Sequence, residues 1–138
     1  MRFLDHLQPL GLLILRLALG VVMVDHGYPK VFGGLQAYYH VVQGLGLPGW
    51  LAFVSAFAEF LGGLLLIFGL LTRISALAVF LDLLIAIVKV NWQHGLSTPS
   101  PQLPLVMAAI AFALIFYGAG PIALDGVLFR PAKGGGKK

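Results

Sequence analysis

Four ionisable side chains, Arg16, Glu59, Asp82 and Lys89, stand inside stretches of sequence that are otherwise apolar. Their formal charges cancel. A lone charge at the centre of a bilayer costs roughly 2.5–3.5 kcal/mol on insertion scales, so such groups face protein and find partners. Glu59 and Asp82 could accept or relay a proton, and Arg16 and Lys89 could hold a carboxylate or a polar ligand. These residue types fit proton-linked chemistry at membrane depth, with Glu59, Arg16 and Asp82 as candidate catalytic residues.

A second set of polar residues sits at the ends of two apolar stretches. One end reads Asp25-His26-Gly27-Tyr28-Pro29-Lys30 and the other Asn91-Trp92-Gln93-His94-Gly95. Polar groups converging beside an apolar cavity are the usual mark of a small-molecule pocket. His26, Lys30, Lys89, Trp92 and His94 are therefore the candidate cofactor-binding residues. A histidine metal ligand needs two or three partners at fixed geometry. No spacing here supplies them, and no metal site is expected. His6 and His40 fall in connecting segments.

The elements that must carry these residues follow from composition. Of 138 residues, 59% are hydrophobic and 10% charged, and the mean hydropathy is +0.96. Soluble domains carry roughly 25% charged residues, so the solvent of this chain is largely lipid. The net charge of +4 comes from basic residues at helix ends and in the tail. They form no basic face, which argues against a nucleic-acid partner. The absence of cysteine excludes disulfides, thiolate metal sites and unaided thiol-to-quinone electron transfer. Leu10–Leu19 could pass for a signal-peptide core, but no clear cleavage site follows, and it reads as a retained membrane helix.

A span needs roughly 17–25 mostly apolar residues. The pattern predicts four helices, at about 10–27, 50–71, 73–92 and 103–118, forming an all-α integral membrane four-helix bundle over residues 1–130. Residues 131–138 read as a disordered basic tail. Thr72-Arg73 is a tight hairpin, so the second and third helices are antiparallel neighbours. The longer connection from Tyr28 to Gly49 holds an amphipathic segment, Leu35–Val42, suited to a short interfacial helix. Ser55, Glu59, Gly62 and Gly63 share one face of the second helix, a stripe that lets membrane helices approach closely.

Orientation follows from Lys and Arg near helix ends. With the N-terminus inside, Arg2, Arg73, Arg130, Lys133, Lys137 and Lys138 lie inside, against Lys30 and Lys89 outside. Both termini are expected in the cytoplasm. Trp50 and Trp92 then share the outer interface. Glu59 lies nine residues from Trp50 and Asp82 nine from Arg73, which puts each ~14 Å deep in a ~30 Å core. Side chains lean toward their own helix's N-terminus. That predicts two pairs, Arg16 with Asp82 and Glu59 with Lys89. Arg16 and Lys89 could instead snorkel to the nearer interface.

An ordered set of short motifs runs along nearly the whole chain: Leu15-Arg16-Leu17, Gly20, His26-Gly27, Lys30 and Phe32-Gly33, then Ala58 to Gly63 and Gly69 to Arg73. Trp92 with His94-Gly95, Gly118 to Pro121 and Leu124-Asp125 complete it. In this set the sequence resembles the DoxX family of bacterial membrane proteins. Gln102 departs from the pattern, where many members carry Glu. The resemblance implies a four-helix bundle of the bacterial inner (plasma) membrane. It also implies, by position, roles for Arg16, His26, Lys30, Glu59 and Arg73. Some relatives look like membrane subunits of a thiosulfate:quinone oxidoreductase, and others are linked to thiol-redox or oxidative-stress complexes.

Three functions fit this reading. The first is an accessory or quinone-facing subunit of a membrane redox system, with quinone near His26 or His94 and Glu59 relaying a proton. Electrons would then come from a protein redox partner. The second is a structural or assembly protein whose buried charges only fix packing. The third is a small proton-coupled carrier using Glu59 and Asp82, for which four short helices would need a homo-oligomer.

Overall fold

The computed structural model describes residues 1–91 and 102–128. Its elements are α1 (Arg2–Asp5), α2 (Gln8–Val31), α3 (Leu35–Gly44), α4 (Trp50–Phe68), α5 (Thr72–Ala86), α6 (Gln102–Tyr117) and α7 (Leu124–Leu128). A π-helical turn, Ile87–Asn91, continues α5. No strand occurs among the described residues. Both α2 and α4, with 24 and 19 residues, are long and apolar enough to cross a bilayer. With α5 plus its π turn and α6 packed beside them, they form an all-α integral-membrane four-helix bundle. The outward face carries exposed apolar side chains such as Ile14, Phe57, Leu61, Leu77, Phe112 and Phe116. Such a belt is stable only against acyl chains.

Small residues set the closest crossing, between α2 and α4. A Cβ on Gly20 would stand 2.7 Å from the carbonyl oxygen of Gly63, and one on Gly63 would stand 2.8 Å from that of Gly20. About two turns further on, a Cβ on Gly27 would meet the Phe60 backbone nitrogen at 2.6 Å. No larger side chain fits at these points, so dispersion and backbone proximity hold the pair together. Gly62 turns the other way and lets Val79 of α5 approach. The glycines of the α4 stripe thus serve two neighbours. Leu19, Met23, Leu66, Val79, Met107 and Leu114 fill the core between the four long helices.

The path of α2 differs from the sequence pattern at its far end. The helix does not stop at Gly27 but runs through Pro29 to Val31. Proline lacks an N–H and so forfeits one helical hydrogen bond. Here that loss falls in the last turn, and the Pro29 carbonyl accepts from Gly34 N–H at 2.8 Å. Gly27 is a packing residue rather than a stop signal. The extension matters because it carries Lys30 on a helix.

At the opposite end, α4 stops at Gly69, which has φ +69°. Leu70 N–H reaches back to the Leu65 carbonyl at 2.9 Å, as in a Schellman-type cap. Leu71 follows with φ +49°, a conformation costly for a residue with a Cβ. Its N–H and that of Thr72 donate to the Asp125 carboxylate at 2.6 and 2.9 Å. The first turn of α5 is therefore capped by a residue more than fifty positions away. The tail, residues 131–138, lies outside the described residues, as do the 97–101 segment and Arg130.

Candidate functional site

The structure sorts the membrane-depth charges into two places. At the hairpin end, Arg16 is 2% exposed. Its two terminal nitrogens donate to the carbonyls of Ala119 and Ile122 at 2.7 and 2.9 Å. Gly69 makes room for the guanidinium, since a Cβ there would lie 2.9 Å from Arg16 Cζ. The chain after α6 is thus held by Arg16, while its own Asp125 caps α5. Arg73 lies against Gly118 at the same end.

The remaining charges meet in the other half of the bundle. Lys30 Nζ donates to both carboxylate oxygens of Glu59, at 2.8 and 2.7 Å. Glu59 is 7% exposed, and removing the cation from such a group is strongly unfavourable. Lys30 Nζ also lies 4.2 Å from the centre of the Tyr38 ring, a cation–π contact. The Tyr38 hydroxyl and Ser55 Oγ are hydrogen-bonded at 2.8 Å. Asp82 lies beside Ser55 and Glu59. Lys89, in the π turn, belongs to the same site. Single π turns inside α-helices often accompany functional sites.

These six polar side chains line a cavity of about 490 Å³ between α3, α4 and α5. The rest of its wall is apolar, with Val42, Leu45, Leu51, Ala58, Ala78 and Ala86 among the lining residues. Its rim includes Val41, Val54, Leu81 and Ile85, which are exposed on the lipid-facing surface. A few placed polar groups in an otherwise apolar hollow of this size match the usual small-molecule site.

Both pairings expected from side-chain direction are corrected. Arg16 bonds backbone carbonyls and not Asp82, and the partner of Glu59 is Lys30 and not Lys89. Axial position along a helix leaves its rotation, and the extra turn of α2, undetermined. Arg16 stands apart from Glu59 and Asp82, with which it was grouped as a catalytic candidate. His26 is exposed, and its Nδ1 donates to the Val22 carbonyl of its own helix at 2.8 Å. It does not line the cavity. Trp92 and His94 lie outside the described residues. Among the described residues, no cluster of three His, Asp or Glu could hold a metal.

Tyr38 and Asp125 are not among the site residues that the sequence pattern singles out. For Tyr38 the available signal is its place in an amphipathic segment beside a span, where Tyr39 stands next to it. Asp125 enters only through Leu124-Asp125 in the family resemblance, which gives it no capping role.

The sequence model of the DoxX family matches residues 11–92. That stretch runs from α2 to the end of the π turn and holds every described residue lining the cavity. The chain is 33% identical over 127 residues to "Putative oxidoreductase CatD" of Bacillus subtilis (strain 168), covering 91% of this chain and 92% of that protein. It is 29% identical over 126 residues to "Inner membrane protein YqjF" of Escherichia coli (strain K12), covering 88% and 95%. No solved structure matches. With a family match across more than half its length and a relative aligned nearly end to end, this chain belongs to the DoxX family.

Proposed function

We propose that the protein is a subunit of a redox system in the bacterial inner membrane, and that the cavity between α3, α4 and α5 receives a quinone ring. The observation that carries this reading is the convergence of Lys30, Tyr38, Ser55, Glu59, Asp82 and Lys89 on one apolar hollow. The pocket is charge-balanced, with two ammonium groups facing two carboxylates, which suits a neutral polar head. Its rim of exposed apolar side chains suits a molecule that travels in the bilayer. One relative carries an oxidoreductase name and another an inner-membrane name, and both agree with the proposal.

The chain's own groups have distinct tasks in this scheme. Lys89 and the hydroxyl pair of Tyr38 and Ser55 offer hydrogen-bond donors to a ring oxygen. Glu59 or Asp82 relays the proton that ring reduction takes up, its carboxylate first binding that proton from water. Lys30 holds Glu59 in place and balances its charge between turnovers. No side chain here carries electrons, so a protein partner delivers them. In this reading the basic excess at the hairpin end and tail favours cytoplasmic termini, and the cavity then lies in the outer half of the membrane.

The test is titration of the purified protein with a short-chain benzoquinone, read by tryptophan fluorescence and by thermal shift. Saturable binding that Glu59→Gln weakens and His26→Ala leaves intact supports the site. Binding indifferent to Glu59→Gln, Asp82→Asn and Lys89→Met removes it. The structural-protein alternative then gains, because buried charges that only fix packing would bind nothing.

A further inference from the structure

We infer that α3 is a gate over the cavity and that Tyr38 is its latch, so that closure is tied to the Lys30–Glu59 pair. The inference rests on the cavity being a ligand site. Its own observations are the anchoring of α3 and its place in the wall. Tyr38, Val41 and Val42 of α3, with Leu45 just after it, form one side of the cavity, so displacing this helix would lay the polar cluster open.

The helix is weakly held. Of its ten residues, Leu35–Gly44, only Val42 is buried. Segments with few buried contacts open locally at low free energy. It is flanked by glycines in conformations that L side chains rarely adopt, Gly33 at φ +154° and Gly46 at φ +77°. Hinge motions are absorbed by a few such terminal positions. Among the described side chains of α3, those of Tyr38 make the polar contacts to the rest of the bundle. Its hydroxyl meets Ser55 on α4 and its ring lies against the Lys30 ammonium of α2. The bond between Gln43 and Tyr39 stays within α3. Tyr39 adds apolar packing on Gly49 and Phe53, but the polar links from the moving wall to two fixed helices run through Tyr38, and one of them is to the cation that neutralises Glu59. When the latch releases, Lys30 loses its aromatic neighbour at the same moment that the cavity opens toward the bilayer.

The absence of cysteine allows a clean spin-label experiment on the full chain in lipid nanodiscs. One nitroxide is placed at His40→Cys, exposed on α3, and its mate at Phe116→Cys, exposed on α6. A control pair, Phe57→Cys with Phe112→Cys, reports the α4–α6 frame. With Tyr38 intact, the α3 pair gives one dominant distance. Tyr38→Phe keeps the ring but loses the hydroxyl, and losing one hydrogen bond raises a second distance population by roughly two- to tenfold. Ser55→Ala has the same effect, and the double variant exceeds neither single one, as expected of one shared contact. Lys30→Met also raises the second population. The control pair stays fixed throughout, which separates gate opening from unfolding. One unchanged α3 distance in Tyr38→Phe, Ser55→Ala and Lys30→Met overturns the gate. No ligand enters this measurement. A fixed α3 with intact quinone binding would remove the gate alone, and a moving α3 without quinone binding would remove only the proposed ligand.

Discussion

The two ends of this bundle solve one problem in opposite ways. At the hairpin end, Arg16 and Asp125 find their hydrogen-bond partners in backbone. Arg16 gives its terminal nitrogens to two carbonyls, and Asp125 takes two amide N–H groups. Backbone partners cannot titrate and cannot leave, so this end is a clamp. At the cavity, charged groups are satisfied by other side chains, Lys30 by Glu59 and the Tyr38 ring. Asp82 and Lys89 line open space. Side-chain partners can exchange protons, rotate and admit a ligand. The distinction between a fastening charge and a working charge therefore lies in what answers it, since burial is similar for Arg16 and Glu59.

The contrast can be broken by removing one partner at each end. Lys30→Met leaves Glu59 buried without its cation, and a broken buried pair costs about 3–5 kcal/mol. Replacing both, as Lys30→Met with Glu59→Leu, restores most of that stability because no charge is left stranded. The double variant loses ligand binding all the same. Unfolding by added SDS in mixed micelles reads the stability, and quinone titration reads the binding. A double variant as unstable as the single one would mean that the pair is itself structural.

Arg16→Met removes both bonds at the clamp and strands two carbonyls, at about 1–3 kcal/mol for each buried group left unsatisfied. No second substitution of a side chain repairs this, because the abandoned acceptors are main chain. Quinone binding persists in whatever fraction folds. Loss of binding affinity in folded Arg16→Met would join the two ends into one functional unit and erase the comparison. A smaller cost follows Gly63→Ala, whose added methyl would press on Val24 and the Gly20 carbonyl. Overpacking of a tight crossing costs about 1–3 kcal/mol, read in the same SDS titration.

Hydropathy and turn residues make the four long helices, the hairpin between α4 and α5 and the amphipathic α3 legible, because each depends on local pattern. Glu59, Asp82, Lys30 and Lys89 stand out as candidates for the same reason, since charge is rare in apolar sequence. Partner choice is not local. Lys30 finds Glu59 only because α2 continues through Pro29, and the pattern of Gly27-Tyr28-Pro29 reads as a stop. Arg16 finds carbonyls that follow α6, over a hundred residues later, and no side-chain inventory announces a carbonyl. Tyr38 was invisible because its importance comes from where α3 folds back. A chain can thus advertise which groups need partners without stating which partners they find.

The smallest expected effect sharpens the clamp most. Asp125 caps α5 through two amide hydrogen bonds, and the question is whether its charge or its shape matters. Asn and Asp are nearly equivalent helix caps, whereas Ala costs about 1 kcal/mol. Asparagine offers one carbonyl oxygen where aspartate offers two, so it keeps one of the bonds to Leu71 and Thr72. Asp125→Asn should then fall between the parent and Asp125→Ala, which lies about 1 kcal/mol below the parent. Hydrogen exchange at Leu71 and Thr72 would rise in the alanine variant ahead of any global loss. Should asparagine cost as much as alanine, the clamp would depend on the negative charge of Asp125 beside the cations of its own end. The hairpin end would then be electrostatic like the cavity, and backbone satisfaction would no longer distinguish them.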